Sequence, residues 1–79
     1  MAKRYTHIPA LMDRVNMLKN DRDETVRSIA EGSGVSKSTI YNITIGKGAD
    51  ANTVIKLAEY FGVTSDWLLG ITDDMGVES

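Results

Sequence analysis

The 79-residue sequence contains no cysteine, one proline and one histidine. Without cysteine it cannot form a disulfide, a thiolate metal site or a cysteine nucleophile. Its apolar runs are only a few residues long, far short of the roughly 20 that a membrane-spanning helix needs. No apolar stretch follows Lys3 and Arg4, so we expect no secretory signal. These absences predict a cytoplasmic protein that has no membrane partner.

Groups suited to catalysis are scarce as well. The single histidine, His7, has no cysteine, aspartate or glutamate at ligand spacing, which argues against a metal site. Asp73 and Asp74 lie in a polar tail, and a frayed tail cannot hold two carboxylates at a catalytic distance. No nucleophile–base pair and no glycine-rich phosphate loop can be proposed. We therefore expect no enzyme activity, no metal, no cofactor and no small-molecule ligand.

The charge is weakly acidic overall but unevenly distributed, with a formal net charge of −2. Residues 25–48 carry three Lys/Arg against one Asp/Glu, whereas residues 49–79 carry one against six. Salt limits the reach of a charge to about 8–10 Å at physiological ionic strength, so a polyanion responds to the face that it contacts. The acidic total is therefore only weak evidence against a nucleic-acid partner.

Apolar residues recur three and four positions apart, which predicts amphipathic helices. No alternating pattern is long enough to indicate a strand, so the fold class is all-α. We expect a single domain over residues 1–79 with its core at about 8–71, and flexible tails at 1–7 and 72–79. Capping residues and glycines place five short helices at about 8–20, 25–33, 36–43, 50–61 and 64–69.

Residues 25–43 form the most informative segment. Thr25 can cap the second helix, and Gly34 can supply the left-handed backbone that ends it. Val35 then serves as an apolar plug in the turn, Ala30 allows close approach of two helices, and Ser36 caps the third helix. This arrangement predicts a helix-turn-helix.

The third helix has few apolar residues, and only Ile40 and Ile43 are expected to face inward. Lysine can donate to guanine, asparagine can bind adenine through two hydrogen bonds, and a tyrosine ring can contact a thymine methyl group. The amino terminus of a helix also favours a nearby phosphate. The predicted exposed face therefore suits the major groove of DNA, and it consists of Lys37, Ser38, Tyr41 and Asn42.

Over residues 11–71 the sequence resembles the phage repressor/Cro-like (Xre-type) helix-turn-helix regulators. The resemblance implies a five-helix bundle of the lambda-repressor-like DNA-binding type, with the helix-turn-helix formed by helices 2 and 3. It also implies a sequence-specific regulator, of the phage or prophage repressor type, that binds double-stranded DNA as a homodimer on a near-palindromic operator. The segments that carry the resemblance are LMDRVNMLKNDRDET, SIAEGSGVSKSTIYNI, IGKG, TVIKLAEYFGVT and DWLLG.

The resemblance assigns roles to particular residues. The helix at 36–43 would lie in the major groove, where the base-reading positions of the family correspond to Lys37, Ser38, Tyr41 and Asn42. The last helix often makes the dimer contact in the family, which implies a role for Trp67 and Leu68. Positions next to the DNA backbone or at a helix amino terminus correspond to Thr25, Arg27, Ser36, Thr39 and Lys47.

Departures from the family pattern keep a second function open. Val26 stands where the family commonly has a glutamine that contacts phosphate, and Glu24 stands where an apolar residue is usual. We expect Val26 to fill the gap that Glu24 leaves in the core. The missing glutamine and the acidic last third of the chain are also compatible with a protein-interaction module, such as an antitoxin or anti-regulator that retains the fold.

Overall fold

The computed structural model describes residues 4–5 and 9–74. Five helices account for most of these residues, which confirms the all-α prediction. They are α1 (Pro9–Asp21), α2 (Val26–Ser33), α3 (Lys37–Thr44), α4 (Ala51–Phe61) and α5 (Ser65–Leu68). None of the helices in residues 9–74 has the length and apolar character needed to cross a membrane.

Helices α2 to α5 each begin after a capping side chain. In each case the side-chain oxygen accepts a hydrogen bond from the backbone N–H three residues later, so a donor that has no partner within the helix is satisfied. At Thr25 the bond is reciprocal, because the Ser28 hydroxyl accepts from the Thr25 N–H. The predicted caps are thus confirmed at Thr25, Ser36 and Asp50, and of the two candidates Thr64 and Ser65 it is Thr64 that caps α5.

Two glycines end helices in the left-handed backbone region that disfavours other residues. Gly34 has a φ of 78° after α2, and Gly62 has a φ of 73° after α4. Both donate a backbone N–H to a carbonyl of the last helical turn, as expected for this type of helix end. Gly34 therefore ends α2 and Gly62 ends α4, and each glycine lets the chain turn into the segment that follows its helix.

The core is entirely apolar in the residues that the structure describes. Helix α3 packs against both α1 and α2, while α4 packs against α2 and α5. The side chains of Ile40 and Ile43 enter the core from α3 with 0% exposure. Ile40 and Ile43 therefore anchor α3 in the core, while its Lys37, Ser38 and Tyr41 side chains stay exposed. The largest fully buried side chains are Leu11, Val15, Ile29, Ile40, Ile43, Val54, Leu57 and Leu68.

A short strand pair, absent from the sequence prediction, joins the amino-terminal segment to the start of α4. Strand β1 (Arg4–Tyr5) pairs antiparallel with β2 (Ala49–Asp50), with Arg4 opposite Asp50. Two residues are too few to produce an alternating sequence pattern. Part of the predicted tail thus has backbone partners, while residues 1–3, 6–7 and 75–79 of the two tails lie outside the described residues.

The beginning of the predicted carboxy-terminal tail is attached to α1 by Arg14. Its guanidinium donates to the carbonyl oxygens of Trp67 and Thr72, at 2.5 and 2.9 Å. It also pairs with the Asp73 carboxylate at 3.1 Å and lies 4.7 Å from the centre of the Trp67 ring. Arg14 therefore holds residues 72–73 beside the core.

Candidate nucleic-acid interface

Helices α2 and α3 form the predicted helix-turn-helix. Helix α2 ends at Gly34, the Val35 side chain is buried in the turn, and α3 follows the Ser36 cap. Ala30 of α2 is buried as well. The predicted plug at Val35 and the predicted turn at Gly34 are thus confirmed.

The outer face of α3 is polar at its start and centre. Lys37, Ser38 and Tyr41 are exposed, and Asn42 is half-buried. A helix advances about 100° per residue, so Ser38 stands opposite the inward-facing anchors Ile40 and Ile43, with Tyr41 and Asn42 on either side of it. Ser38, Tyr41 and Asn42 therefore share one surface, and Lys37 lies at its edge, one turn before Tyr41.

The amino terminus of α3 is organised by two hydroxyl groups. Ser36 Oγ accepts from the Thr39 backbone N–H at 3.3 Å and donates to Thr39 Oγ1 at 2.8 Å. Thr39 retains its own hydroxyl proton for an external acceptor. The first turn thus has a fixed shape, and its remaining backbone N–H groups suit an anion.

The segment after α3 folds back on that helix. The Lys47 backbone N–H donates to the Asn42 carbonyl at 2.9 Å, and Gly46 takes a φ of 100°. The Lys47 side chain is exposed. Lys47 therefore carries a positive charge next to the carboxy-terminal end of α3, where a phosphate contact is predicted.

An open cleft of about 170 Å³ lies between α3 and the start of α4. Thr39 and Asn42 border it on the α3 side, and Asp50 and Thr53 on the α4 side. The Asp50 carboxylate accepts from the Thr53 N–H at 2.9 Å. An acidic group thus occupies the amino terminus of α4, which makes this end of the interface less favourable for phosphate than the amino terminus of α3.

Two predicted contact residues on α2 already have partners. The Thr25 hydroxyl accepts from the Ser28 N–H at 3.0 Å and so acts as a helix cap. Arg27 Nε lies 3.5 Å from a Glu31 carboxylate oxygen, and both side chains are exposed. Such a surface pair contributes little stability, so the Arg27 guanidinium can exchange Glu31 for another anion.

Glu24 has a specific partner that the sequence analysis missed. Its carboxylate accepts hydrogen bonds from the Tyr60 hydroxyl and, at 3.3 Å, from the Ser28 hydroxyl. The hydrogen bond to Glu24, together with burial and the nearby negative charge, raises the pKa of Tyr60 above its usual value. Val26 is half-buried against the core, as expected. The sequence did contain a signal for this contact. Glu24 stands where an apolar residue is usual, and a part-buried carboxylate needs a hydrogen-bond donor nearby.

Trp67 and Leu68 are core residues, with exposures of 5% and 0%. Their side chains therefore provide no surface for the predicted dimer contact. The exposed apolar side chains nearby are Ile55 and Ile71, with half-buried Leu69. These three residues line a shallow groove between α4 and α5, which we term the α4–α5 groove.

No three His, Cys, Asp or Glu side chains come together at metal-binding distances within residues 4–5 and 9–74. His7 lies outside these described residues. The acidic pair Asp73 and Asp74 is exposed, and Asp73 is engaged by Arg14.

Comparison with known proteins identifies the family. A helix-turn-helix family model matches residues 22–68, which is more than half of the chain and includes all of α2, α3, α4 and α5. No curated protein and no solved structure gives a significant match. The family match supports a DNA-binding helix-turn-helix regulator. With its lambda-repressor-like arrangement of five helices, the chain belongs to the helix-turn-helix family, as its resemblance to the phage repressor and Cro-like proteins indicated.

Proposed function

We propose that this protein is a sequence-specific transcriptional regulator of the phage repressor type, which places α3 in the major groove of double-stranded DNA. One observation carries the proposal. Helix α3 presents a polar, exposed outer face while its inner face is fixed by Ile40 and Ile43. A helix of this width and chemistry fits the major groove, where each base pair has a distinct pattern of donors and acceptors.

Base recognition is assigned to the outer face of α3. Lys37 and Ser38 lie in its first turn, where an inserted recognition helix comes nearest to the base edges. Lys37 suits guanine, Asn42 suits adenine, and the Ser38 hydroxyl adapts to several base edges. Asn42 is half-buried beside the cleft that leads to α4, so its amide is more restricted in orientation than a fully exposed side chain. That restriction favours selectivity at the base pair it meets.

Backbone contacts are assigned to the residues around this face. Arg27 in α2 and Lys47 after α3 supply positive charge, and Ser36 with Thr39 supplies the amino terminus of α3. Thr25 contributes by fixing the start of α2 through its capping bonds. Contacts to phosphate release counterions, so the affinity would fall with a slope of about −0.9 per phosphate contact on logarithmic salt axes.

We further propose that the protein binds as a homodimer to a near-palindromic operator. One recognition helix of eight residues meets only a few base pairs, and a symmetric pair doubles the sequence that is read. The α4–α5 groove is the apolar surface we assign to the second copy, with Ile55, Leu69 and Ile71 taking the place of buried Trp67 and Leu68. The regulator would act in the cytoplasm and have no enzyme activity.

Selection of bound sequences from random DNA, followed by a salt titration of the selected site, tests the proposal. The expected result is an inverted repeat whose affinity decreases steeply with salt. Salt-independent binding, or no enriched sequence, would contradict it. Recovery of a stoichiometric protein partner together with no enriched sequence would instead support an antitoxin or anti-regulator, the function that the acidic last third of the chain leaves open.

A further inference from the structure

The exposed face of α3 becomes apolar at its carboxy-terminal end. Tyr41 is 56% exposed and Ile45, the residue that ends the helix, is 52% exposed. Among the described residues only Met17, Ile55 and Ile71 are other large apolar residues with comparable exposure. Tyr41 is one of the base-reading residues predicted from the sequence, and Ile45 is not among them.

Ile45 continues the same surface as the predicted base-contacting residues. It follows Tyr41 by four positions and Ser38 by seven, and such positions lie above one another on a helix. Its backbone N–H donates to the carbonyls of Tyr41 and Asn42, at 3.2 and 3.3 Å, so it stays in register with α3. Ile45 therefore lies on the side of the helix opposite the buried anchor Ile43.

A single exposed isoleucine needs no special explanation. Here two neighbouring apolar side chains lie on the face that the proposed function places against base edges. The polar part of that face already supplies donors and acceptors through Lys37, Ser38 and Asn42. The apolar end of this face is suited to an apolar partner. In the major groove that partner is the C5 methyl group of thymine.

We infer, on the basis of the proposed function, that Ile45 and Tyr41 read thymine methyl groups under the carboxy-terminal end of α3. Each half-site of the operator would then carry A·T pairs at that end, next to the base pairs that the polar residues read. Removal of one thymine methyl group that this contact buries would weaken DNA binding about fourfold. This factor is the one expected from the apolar surface that the methyl group buries.

Replacement of thymine by deoxyuridine isolates this interaction, because deoxyuridine lacks only the methyl group. In the selected site each thymine is replaced in turn, and binding of the wild-type protein and of variants is measured. We expect one replacement to weaken wild-type binding about fourfold and to weaken Ile45→Ala less than about twofold. Tyr41→Ala should lose the sensitivity at the neighbouring thymine. Ile45→Val, which retains most of the apolar side chain, should keep most of the wild-type sensitivity.

Met17→Ala is the matched control, since Met17 is an exposed apolar residue of α1. It should respond to every replacement as the wild type does. Wild-type insensitivity at all thymines would overturn the inference, as would full sensitivity of Ile45→Ala, or a selected site with no thymine at these positions. In each of those cases salt-dependent binding to the selected site would persist, so the proposed function would stand. If the wild-type protein binds no DNA at all, the proposed function itself is contradicted.

Discussion

The Tyr60 hydroxyl of α4 donates a hydrogen bond to the Glu24 carboxylate, which lies just ahead of α2. The same carboxylate accepts from Ser28 in the first turn of α2. This pair therefore fixes the entry to the helix-turn-helix against a helix that is distant in sequence. The position of α3 depends on α2, so the hydrogen bond contributes indirectly to the geometry of the proposed DNA interface.

Replacement Tyr60→Phe should destabilise the protein by about 1.5–3 kcal/mol, because it removes a hydrogen bond to a charged acceptor and keeps the ring. Urea unfolding followed by circular dichroism measures the change. Tyr41→Phe is the control: Tyr41 is exposed on α3, and its variant should unfold at the wild-type urea concentration. Equal stability of Tyr60→Phe and wild type would contradict the structural role of the bond.

The raised pKa of Tyr60 predicts a loss of stability in alkali. Above the unfolded-state pKa of about 10, the unfolded chain releases the Tyr60 proton more readily than the folded protein does. The free energy of unfolding should therefore fall as the pH rises from about 10 through the higher folded-state pKa. Tyr60→Phe should show a smaller fall than wild type over this range, whereas Tyr41→Phe should retain it. Parallel pH profiles for wild type and Tyr60→Phe would disprove the linkage.

Gly32→Ala should destabilise the protein although alanine favours helices. A Cβ atom at position 32 would lie 2.1 Å from Cε1 of the Tyr60 ring. The ring or the α2 backbone would have to shift, and we expect a net cost of about 1–3 kcal/mol from this overpacking.

Tyr60→Ala provides the matched background for that experiment. With the ring absent, Gly32→Ala should become stabilising by up to about 1 kcal/mol, the usual helix-propensity gain. A double-mutant cycle from thermal or urea unfolding measures whether Gly32→Ala raises or lowers the free energy of unfolding in each background. A stabilising Gly32→Ala in the wild-type background would show that the ring does not restrict position 32.

Lysine substitutions should separate base reading from backbone contact. Lys37→Ala is expected to cost about 1–3 kcal/mol on the selected site and to relax preference at one base pair. Lys47→Ala should weaken binding to all sequences about equally and reduce the salt slope by about 1. Fluorescence anisotropy on matched and mismatched duplexes distinguishes the two patterns. Lys56→Ala, an exposed change on α4, is the control and should bind as the wild type does. Identical effects of Lys37→Ala and Lys47→Ala on every sequence would contradict the assignment.

Introduction of charge into the α4–α5 groove should dissociate the proposed homodimer. Ile55→Lys and Ile71→Lys are each expected to weaken self-association about tenfold or more, since a buried unpaired charge is costly. Sedimentation equilibrium measures this effect, and both variants should fold because the two isoleucines are exposed. Met17→Lys on α1 should remain dimeric. If both groove variants associate like the wild type, the second copy binds elsewhere.

The features that sequence reasoning predicted correctly are determined by neighbouring residues. A cap at Ser36 bonds to a group three positions away, and Gly34 ends α2 through its own backbone angle. Periodic apolar residues likewise report the buried face of each helix. These local relationships suffice to place the helix-turn-helix and its exposed face.

The features that were missed depend on contacts between distant segments. Glu24 and Tyr60 are 36 positions apart, and nothing near either residue in the sequence indicates the other. Trp67 was assigned to a dimer contact by the family resemblance, but Arg14 from α1 lies over its ring and binds its carbonyl. Such pairings arise only when the helices are assembled, so a single sequence does not reveal them.

The attachment of α3 by two buried isoleucines has a consequence for how proteins with this fold diverge. Ile40 and Ile43 satisfy the core, while Lys37, Ser38 and Tyr41 contribute almost nothing to it. After duplication of a gene, changes at the exposed positions can accumulate without a folding penalty, because the anchors are untouched. If α3 reads DNA as proposed, new target preferences can thus arise on an unchanged scaffold.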